Sequence, residues 1–254
     1  MYRLLKTLLR VIYGAYCGLS FLGVSLVALI AMLFVPGIER RRRIAGATAR
    51  LLMRIWGIRL TVGGAPLPEQ SCIVVANHAS YLDGVVLAGA LPTRFGFVIK
   101  KEMDRIPLAN LLLRLIGSEF VDRVNRHRGG LDARRVLRRA ASGQSIVFFP
   151  EGTFSRERGL LRFHTGAFAT ALRANCPVVP VVIRGTREVL PSNRIVPTPG
   201  PIDVEIQPAI EPAVTGREGA VALREEARRR ILERLGEPDL ATGMPPQEPT
   251  VDLA

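Results

Sequence analysis

The chain has 254 residues, 48% of them apolar, and 35 Lys plus Arg stand against 22 Asp plus Glu for a formal net charge of +13. That apolar content builds a substantial core, which excludes disorder for the bulk of the chain, and the length suits one domain with an appendage. Three scattered cysteines, Cys17, Cys72 and Cys176, without CxxC or Cys/His spacing, exclude a disulfide scaffold and a cysteine-ligated metal, and point to a reducing, cytoplasm-facing compartment.

Residues 1–50 carry Arg3, Lys6, Arg10, Arg40, Arg41, Arg42, Arg43 and Arg50 against the single acid Glu39, and so hold +7 of the +13. Between the two basic clusters, Val11 to Val35 runs for 25 residues without a charge. As a helix this segment is about 38 Å long, enough to cross a bilayer. A signal peptide has an apolar core of only about 7–15 residues, and its cleavage site does not follow an arginine run. Basic clusters on both flanks give no positive-inside vote. Two topologies stay open: one spanning helix with its C-terminal side cytoplasmic, or a bend near Gly14, Gly18 or Gly23 that returns the chain to the same face, with both clusters on anionic headgroups. Gly14 and Gly18 also match GxxxG, a spacing that arises by chance. Either way residues 1–57 read as a membrane anchor with a basic helix.

Ile44 to Trp56 has helical apolar spacing closed by Gly57, and Ile58 to Val62 alternates as a strand. After a turn over Gly63 to Gln70, strands and helices alternate. The predicted strands are Cys72 to Ala76, Phe95 to Ile99, Glu119 to Val121, Ser145 to Phe149, Val178 to Ile183 and Ile202 to Ile206. The predicted helices are Leu82 to Ala90, Pro107 to Ile116, Gly130 to Ala141, Thr165 to Ala174 and Gly219 to Leu235. This alternation predicts an α/β fold, a mostly parallel central sheet flanked by helices, over residues 58–236, with ligands at the C-terminal strand ends. Residues 237–254 hold Pro238, Pro245, Pro246 and Pro249 with little apolar content and read as a disordered tail.

Directly after the strand ending at Ala76 comes Asn77-His78-Ala79-Ser80-Tyr81-Leu82-Asp83. On one continuous helix His78 and Asp83 would lie roughly 140° apart and could not face one another. If Ser80 caps a helix starting at Tyr81, His78 sits in the preceding turn and the two can meet. A carboxylate on one imidazole nitrogen then fixes the tautomer and leaves the other to take a proton from a hydroxyl. The same Ser80-x-x-Asp83 spacing is also a capping box, in which Asp83 merely serves the helix start. A second stretch, Phe149-Pro150-Glu151-Gly152-Thr153, runs a buried strand into a glycine turn where a substrate approaches backbone closely. A third, Gly117 to Arg123, ends a strand with an arginine able to fork onto a phosphate or carboxylate. A fourth, Cys176 to Val181, is an apolar strand with two prolines that reads more readily as a core strand than as a substrate contact.

In order and spacing these stretches resemble the four blocks of the glycerolipid acyltransferase family typified by the lysophosphatidic acid acyltransferases: NHxSxxD, G-x-x-F/V-x-x-R, FPEGTRS and V-P-V/I. They stand here as Asn77 to Asp83, Gly117 to Arg123, Phe149 to Ser155 and Val179 to Val181, and the resemblance covers roughly residues 70–190. It implies an O-acyltransferase in which His78 is the base and Asp83 its orienting partner. The acceptor oxygen attacks a thioester, acyl-CoA or acyl-carrier protein, directly, with no acyl-enzyme, metal or cofactor. Arg123, Glu151, Gly152 and Thr153 would hold the acceptor, with Lys100, Lys101 and Arg156 as further contacts. The implied acceptor is 1-acylglycerol-3-phosphate, giving phosphatidic acid. One departure stands out: the family's third block continues with arginine after the threonine, and this chain has Phe154. Either Arg156 or Arg158 swings in, or the acceptor is another lysolipid without that phosphate, such as a lyso-ornithine lipid.

Such an enzyme works at the inner membrane with its active site facing the cytoplasm, against anionic lipids. A non-catalytic membrane or nucleic-acid-binding protein is the rival, suggested by the net charge and by the arginines from Arg123 to Arg139. It leaves both His78 and the Pro-Glu-Gly turn unexplained, and with an aromatic content of 6% it lacks stacking residues, so no nucleic acid is expected. A serine hydrolase has no Gly-x-Ser-x-Gly elbow here.

Overall fold

The computed structural model describes residues 2–122, 126–214 and 216–241. Two helices, α1 (Tyr2–Phe34) and α2 (Ile38–Ile55), open the chain. Then follow β1 (Ile58–Gly64), β2 (Ile73–Ala76), α3 (Leu82–Ala90), β3 (Phe95–Lys100), a 3-10 turn over Lys101–Arg105, α4 (Pro107–Leu115), β4 (Glu119–Val121) and α5 (Arg126–Ala141). The remaining elements are β5 (Ser145–Phe148), α6 (Gly166–Ala174), β6 (Val178–Arg184), α7 (Thr186–Val189), β7 (Gly200–Ile206) and α8 (Gly216–Leu235). The contacts group the chain into two compact units, one of Met1–Gly63, Ala79–Thr93 and Arg184–Val204, the other of Gly64–His78, Arg94–Ile183 and Glu205–Ala254.

In the first unit α1 is unbroken for 33 residues, so neither Gly14, Gly18 nor Gly23 bends it. The reversal falls instead at Gly37, whose φ of +86° suits glycine and opens α2. The helix α2 begins at Ile38 rather than Ile44, because Arg40 to Arg43 are good helix formers whatever their charge. It folds back along α1: Tyr13 Oη donates to Trp56 O at 2.9 Å, and Trp56 Nε1 donates to Ser20 Oγ at 3.0 Å. One stripe of α1, including Cys17, Ala28, Leu29 and Met32, is buried, while Leu19, Leu22, Leu26, Val27 and Phe34 are exposed. Leu5–Phe34, at mean hydropathy 2.4, is long and apolar enough to cross a membrane.

Part of the arginine run works inside the protein. Arg41 Nε donates to Val35 O at the end of α1 (2.9 Å), and the buried Arg42 donates from Nη1 to Thr93 O (3.3 Å). Arg50 Nη1 donates to Gly89 O (2.8 Å), placing a cation at the negative end of α3. The helices α2 and α3 meet where Gly46 has no side chain, since a Cβ there would stand 2.7 Å from Ala88 O.

The second unit carries the parallel sheet, in the order β6-β2-β5-β3-β4. Register pairs Val75 with Phe148 and with Pro180, Phe97 with Val147, and Ile99 with Phe120. The strand β2 is wholly buried, which is why it reads as an uninterrupted apolar run. One sheet face, formed by Ile73, Val75, Val98, Ile146, Val178 and Val182, packs under α5, α6 and α8 through Val136, Phe168, Ala171, Leu223, Ala227 and Ile231. Arg135 and Arg139 of α5 both bond the buried Glu119 of β4, each at 2.5 Å, so these two arginines tether a helix to the sheet. Charge-assisted bonding to Glu119 pushes the Arg135 guanidinium pKa up.

Of the segment expected as a tail, residues 237–241 are described, and they are bonded to the rest of their unit. Leu160 and Asp239 form a parallel bridge, and Gly159 N–H donates to Glu237 Oε2 at 2.9 Å. Arg228, buried on α8, donates to Leu160 O, Leu161 O and both oxygens of Asp239. An apolar residue, Leu240, and two acids were enough to anchor a segment that its prolines disguise. Residues 242–254 lie outside the described residues.

Candidate active site

Parallel pairing dictates what meets at the end of the sheet. Val75 lies opposite Phe148, so three residues further along each chain stand His78 and Glu151. They are bonded: Glu151 Oε1 accepts the His78 backbone N–H at 2.6 Å. The other oxygen, Oε2, accepts the Leu161 N–H at 2.9 Å. Just before His78, the buried Asn77 side chain donates from Nδ2 to Ile183 O (2.9 Å) and accepts the Ile183 N–H on Oδ1 (2.7 Å). This side-chain clamp carries the β2/β6 pairing one step past the strand and fixes where the histidine backbone emerges.

Glu151 is only 4% exposed, and its charge lies against backbone amides. The carboxylate therefore binds two segments of the protein together. Gly152, at φ +78°, turns the chain directly after it, a conformation that favours glycine. Its N–H donates to Phe149 O at 3.1 Å, and His164 N–H donates to Pro150 O at 2.8 Å.

Two aromatic rings meet the half-buried His78 imidazole. Phe149 stacks on it with centroids 4.4 Å apart and planes at 23°, and Phe154 stands at 4.7 Å and 69°. Phe154 was legible in the sequence as a missing arginine, but its place against the His78 ring was not, because no local pattern reports that the loop returns to the histidine.

The first unit holds Asp83 near the start of α3, fully buried. Its Oδ2 accepts the N–H groups of Ala79 (2.6 Å) and Ser80 (2.8 Å), and the Ala79 nitrogen belongs to the peptide group of His78 itself. Ser80 Oγ accepts the Leu82 N–H at 3.2 Å and donates to Leu190 O at 2.7 Å. Asp83 and Ser80 thus hold the turn ahead of α3, whose cap position is Tyr81. Asp83 reaches back to the turn through one oxygen, and the helix runs over Leu82–Ala90, the range that the sequence predicts.

The remaining candidates are placed as follows. Lys100 ends β3, where its Nζ lies 3.4 Å from Glu102; Lys101 Nζ lies 3.5 Å from Asp122. Thr153 and Arg156 are exposed on the loop after Gly152. Arg123 lies outside the described residues. Among the described residues, no group of three or more His, Cys, Asp or Glu side chains is arranged to hold a metal ion.

A half-exposed imidazole at the C-terminal edge of a parallel sheet, with its main chain fixed on both sides, can serve as a general base for a ligand arriving at that edge. The comparisons with known proteins fall on the same segment. Residues 59–184 match the family model described as Acyltransferase. A 1-acyl-sn-glycerol-3-phosphate acyltransferase of Escherichia coli K12 is 34% identical over 170 residues, covering 66% of this chain and 69% of that one. A protein of the same name from Salmonella typhimurium is 32% identical with the same coverage, and one from Cocos nucifera is 30% identical over 209 residues, 80% of this chain and 68% of its own. In fold the chain is similar to the crystal structure of the 1-acyl-sn-glycerophosphate (LPA) acyltransferase PlsC of Thermotoga maritima, with a TM-score of 0.71 at 24% identity over 91% of this chain and 97% of that one.

Proposed function

Because the chain belongs to the acyltransferase family, we propose that it moves a fatty acyl group from a thioester to the free hydroxyl of 1-acylglycerol-3-phosphate, giving phosphatidic acid. The observation that carries this reading is the His78 turn, held by Asn77 on one side and Glu151 on the other, in a chain whose relatives bear that activity in their names.

His78 takes the proton of the acceptor hydroxyl as its oxygen attacks the thioester carbonyl. A C–O bond forms, the C–S bond breaks, and the imidazolium returns the proton to the leaving sulfur. Positioned proton transfer of this kind contributes roughly 10²- to 10⁴-fold in rate. The family pattern gives Asp83, whose Oδ2 takes the Ala79 and Ser80 amides, the role of partner to the base that stabilises its cation. Acyl-CoA and acyl-carrier protein both fit as donors. The apolar exposed face of α1 supports attachment to a membrane; our reading is the inner membrane with the site towards the cytoplasm, where those donors are, and with anionic lipids rather than nucleic acid as the partner of the basic residues.

A second acceptor class is favoured by one residue. Phe154 supplies no cation where the family's third block has arginine, which suits a phosphate-free lysolipid such as a lyso-ornithine lipid. The test is transfer by the purified protein in detergent, with palmitoyl-CoA against both acceptors and His78→Ala as control. Turnover of 1-acylglycerol-3-phosphate that disappears in the variant supports the main reading. Turnover of the ornithine lipid alone moves it to the second, and no lysolipid acylation, or an active variant, overturns it.

A further inference from the structure

We propose that Phe154 is a positioning residue for the base, acting with Phe149 to hold the His78 imidazole in one orientation, so that the acceptor hydroxyl reaches the base past a phenyl ring. This rests on reading His78 as the base. The outer torsion of a histidine is broad and roughly two-fold, so a half-exposed imidazole has rotational freedom that its backbone bonds do not remove. A single stacked ring, here Phe149 at 4.4 Å and 23°, restrains the tilt of the imidazole plane but leaves rotation within that plane. A second ring at 4.7 Å and 69° is not parallel to the first, and two non-parallel surfaces together restrain both motions. Edge-to-face and offset-stacked pairs are the favoured aromatic arrangements at such separations.

The loop is built to bring Phe154 there. Gly152 at φ +78° turns the chain back after Glu151, Leu161 is bonded to Glu151 Oε2, and Gly159 is bonded to Glu237, so the segment carrying Phe154 is closed at both ends. The specificity consequence follows from chemistry. Position 154 presents an apolar surface next to the reacting hydroxyl, and a headgroup anion on the acceptor is gripped elsewhere.

The test compares Phe154→Ala, Phe154→Leu, Phe154→Arg and His78→Ala in the full chain in detergent, with palmitoyl-CoA and with 1-acylglycerol-3-phosphate and lyso-ornithine lipid as acceptors. Phe154 is half-buried, and melting curves verify that each variant is folded. Phe154→Ala is expected to lower kcat about tenfold, the scale of one aromatic pair, with the acceptor KM within about twofold; Phe154→Leu falls between. Phe154→Arg is expected to lower kcat at least as far. Proton spectra supply a readout that packing alone does not move: with three histidines in the chain, the His78 ring signals are identified by their loss in His78→Ala, and their ring-current shift should shrink in Phe154→Ala. Wild-type kcat in Phe154→Ala, or a Phe154→Arg variant that keeps kcat and lowers KM for 1-acylglycerol-3-phosphate, would overturn the proposal while an inactive His78→Ala keeps the base reading. An active His78→Ala would overturn the base reading itself.

Discussion

Glu151 joins two stretches of backbone through one buried carboxylate, taking the His78 N–H on Oε1 at 2.6 Å and the Leu161 N–H on Oε2 at 2.9 Å. Glu151→Gln keeps one acceptor oxygen but turns an amide NH₂ towards the other N–H. Losing one bond to a charged group costs about 1.5–3 kcal/mol, and about 2–4 °C of Tm accompanies each kcal/mol in a chain of this size. The expected outcome is a lower Tm together with a fall in kcat, measured by thermal unfolding and steady-state kinetics. A raised acceptor KM at unchanged Tm would instead make Glu151 a direct ligand of the acceptor.

Asp83 separates structure from chemistry through its two neutral replacements. The carbonyl oxygen of Asn can accept both the Ala79 and Ser80 amides as Oδ2 does now, so Asp83→Asn should melt near the wild type. It removes the negative charge that the proposed mechanism assigns to stabilising the imidazolium, and kcat should fall by roughly 10²- to 10⁴-fold. Asp83→Ala leaves two buried N–H groups without that acceptor, at about 1–3 kcal/mol each, and should lose stability as well. Equal Tm losses in both variants would mean that the charge itself holds the turn.

How much of this was legible depends on the range of the interactions involved. The strands Ile73 to Ala76 and Val178 to Ile183 stood out as buried apolar runs, and the turn glycine at 152 and the helix start after Ser80 are local signals that survive in the fold. What stayed hidden was contact over distance. Nothing near Glu151 in sequence shows that its oxygens turn to amides at positions 78 and 161, and nothing near Phe154 shows a ring against His78. Charge alone also hid a structural role: Arg41, Arg42 and Arg50 bond carbonyls of the protein. The interleaved units were beyond periodicity, because Ala79–Thr93 looks like any helical link of an α/β domain until α3 is seen against α2.

The exposed side of α1 should decide membrane attachment. Leu19 and Val27 are 72% and 69% exposed, whereas Ala28 is buried. Leu19→Glu with Val27→Glu puts two charges on the outward face, each costing about 2.5–3.5 kcal/mol at the centre of an inserted helix. The double variant should move from the floating to the soluble fraction in vesicle flotation while its melting curve persists. Retention on vesicles at wild-type level would mean that another surface carries the attachment.

The contact between Arg228 and Asp239 gives a pH dependence with a definite sign. Hydrogen bonding from Arg228 is the main cause that lowers the Asp239 pKa below its ordinary 3.8, aided by the Ala241 amide and by the guanidinium charge, against a smaller opposing effect of burial. A carboxyl whose pKa is depressed on folding stabilises the fold above its unfolded value and loses that contribution as pH falls through the folded one. The bonds dock residues 237–240 on the loop at Gly159 and Leu160, the same loop that carries Phe154. Asp239→Asn should therefore lower Tm at pH 7 by about 2–4 °C, for a half-exposed pair worth about 1 kcal/mol. The gap between variant and wild type should stay constant down to about pH 5 and close below about pH 4, as the wild-type carboxyl takes up its proton. Because the docked segment supports the Phe154 loop, kcat should fall in the variant at pH 7 while Phe154→Ala, already lacking the ring, responds less to the same change. A Tm gap that widens on acidification, or one that is absent at pH 7, would show that the segment docks without the ion pair.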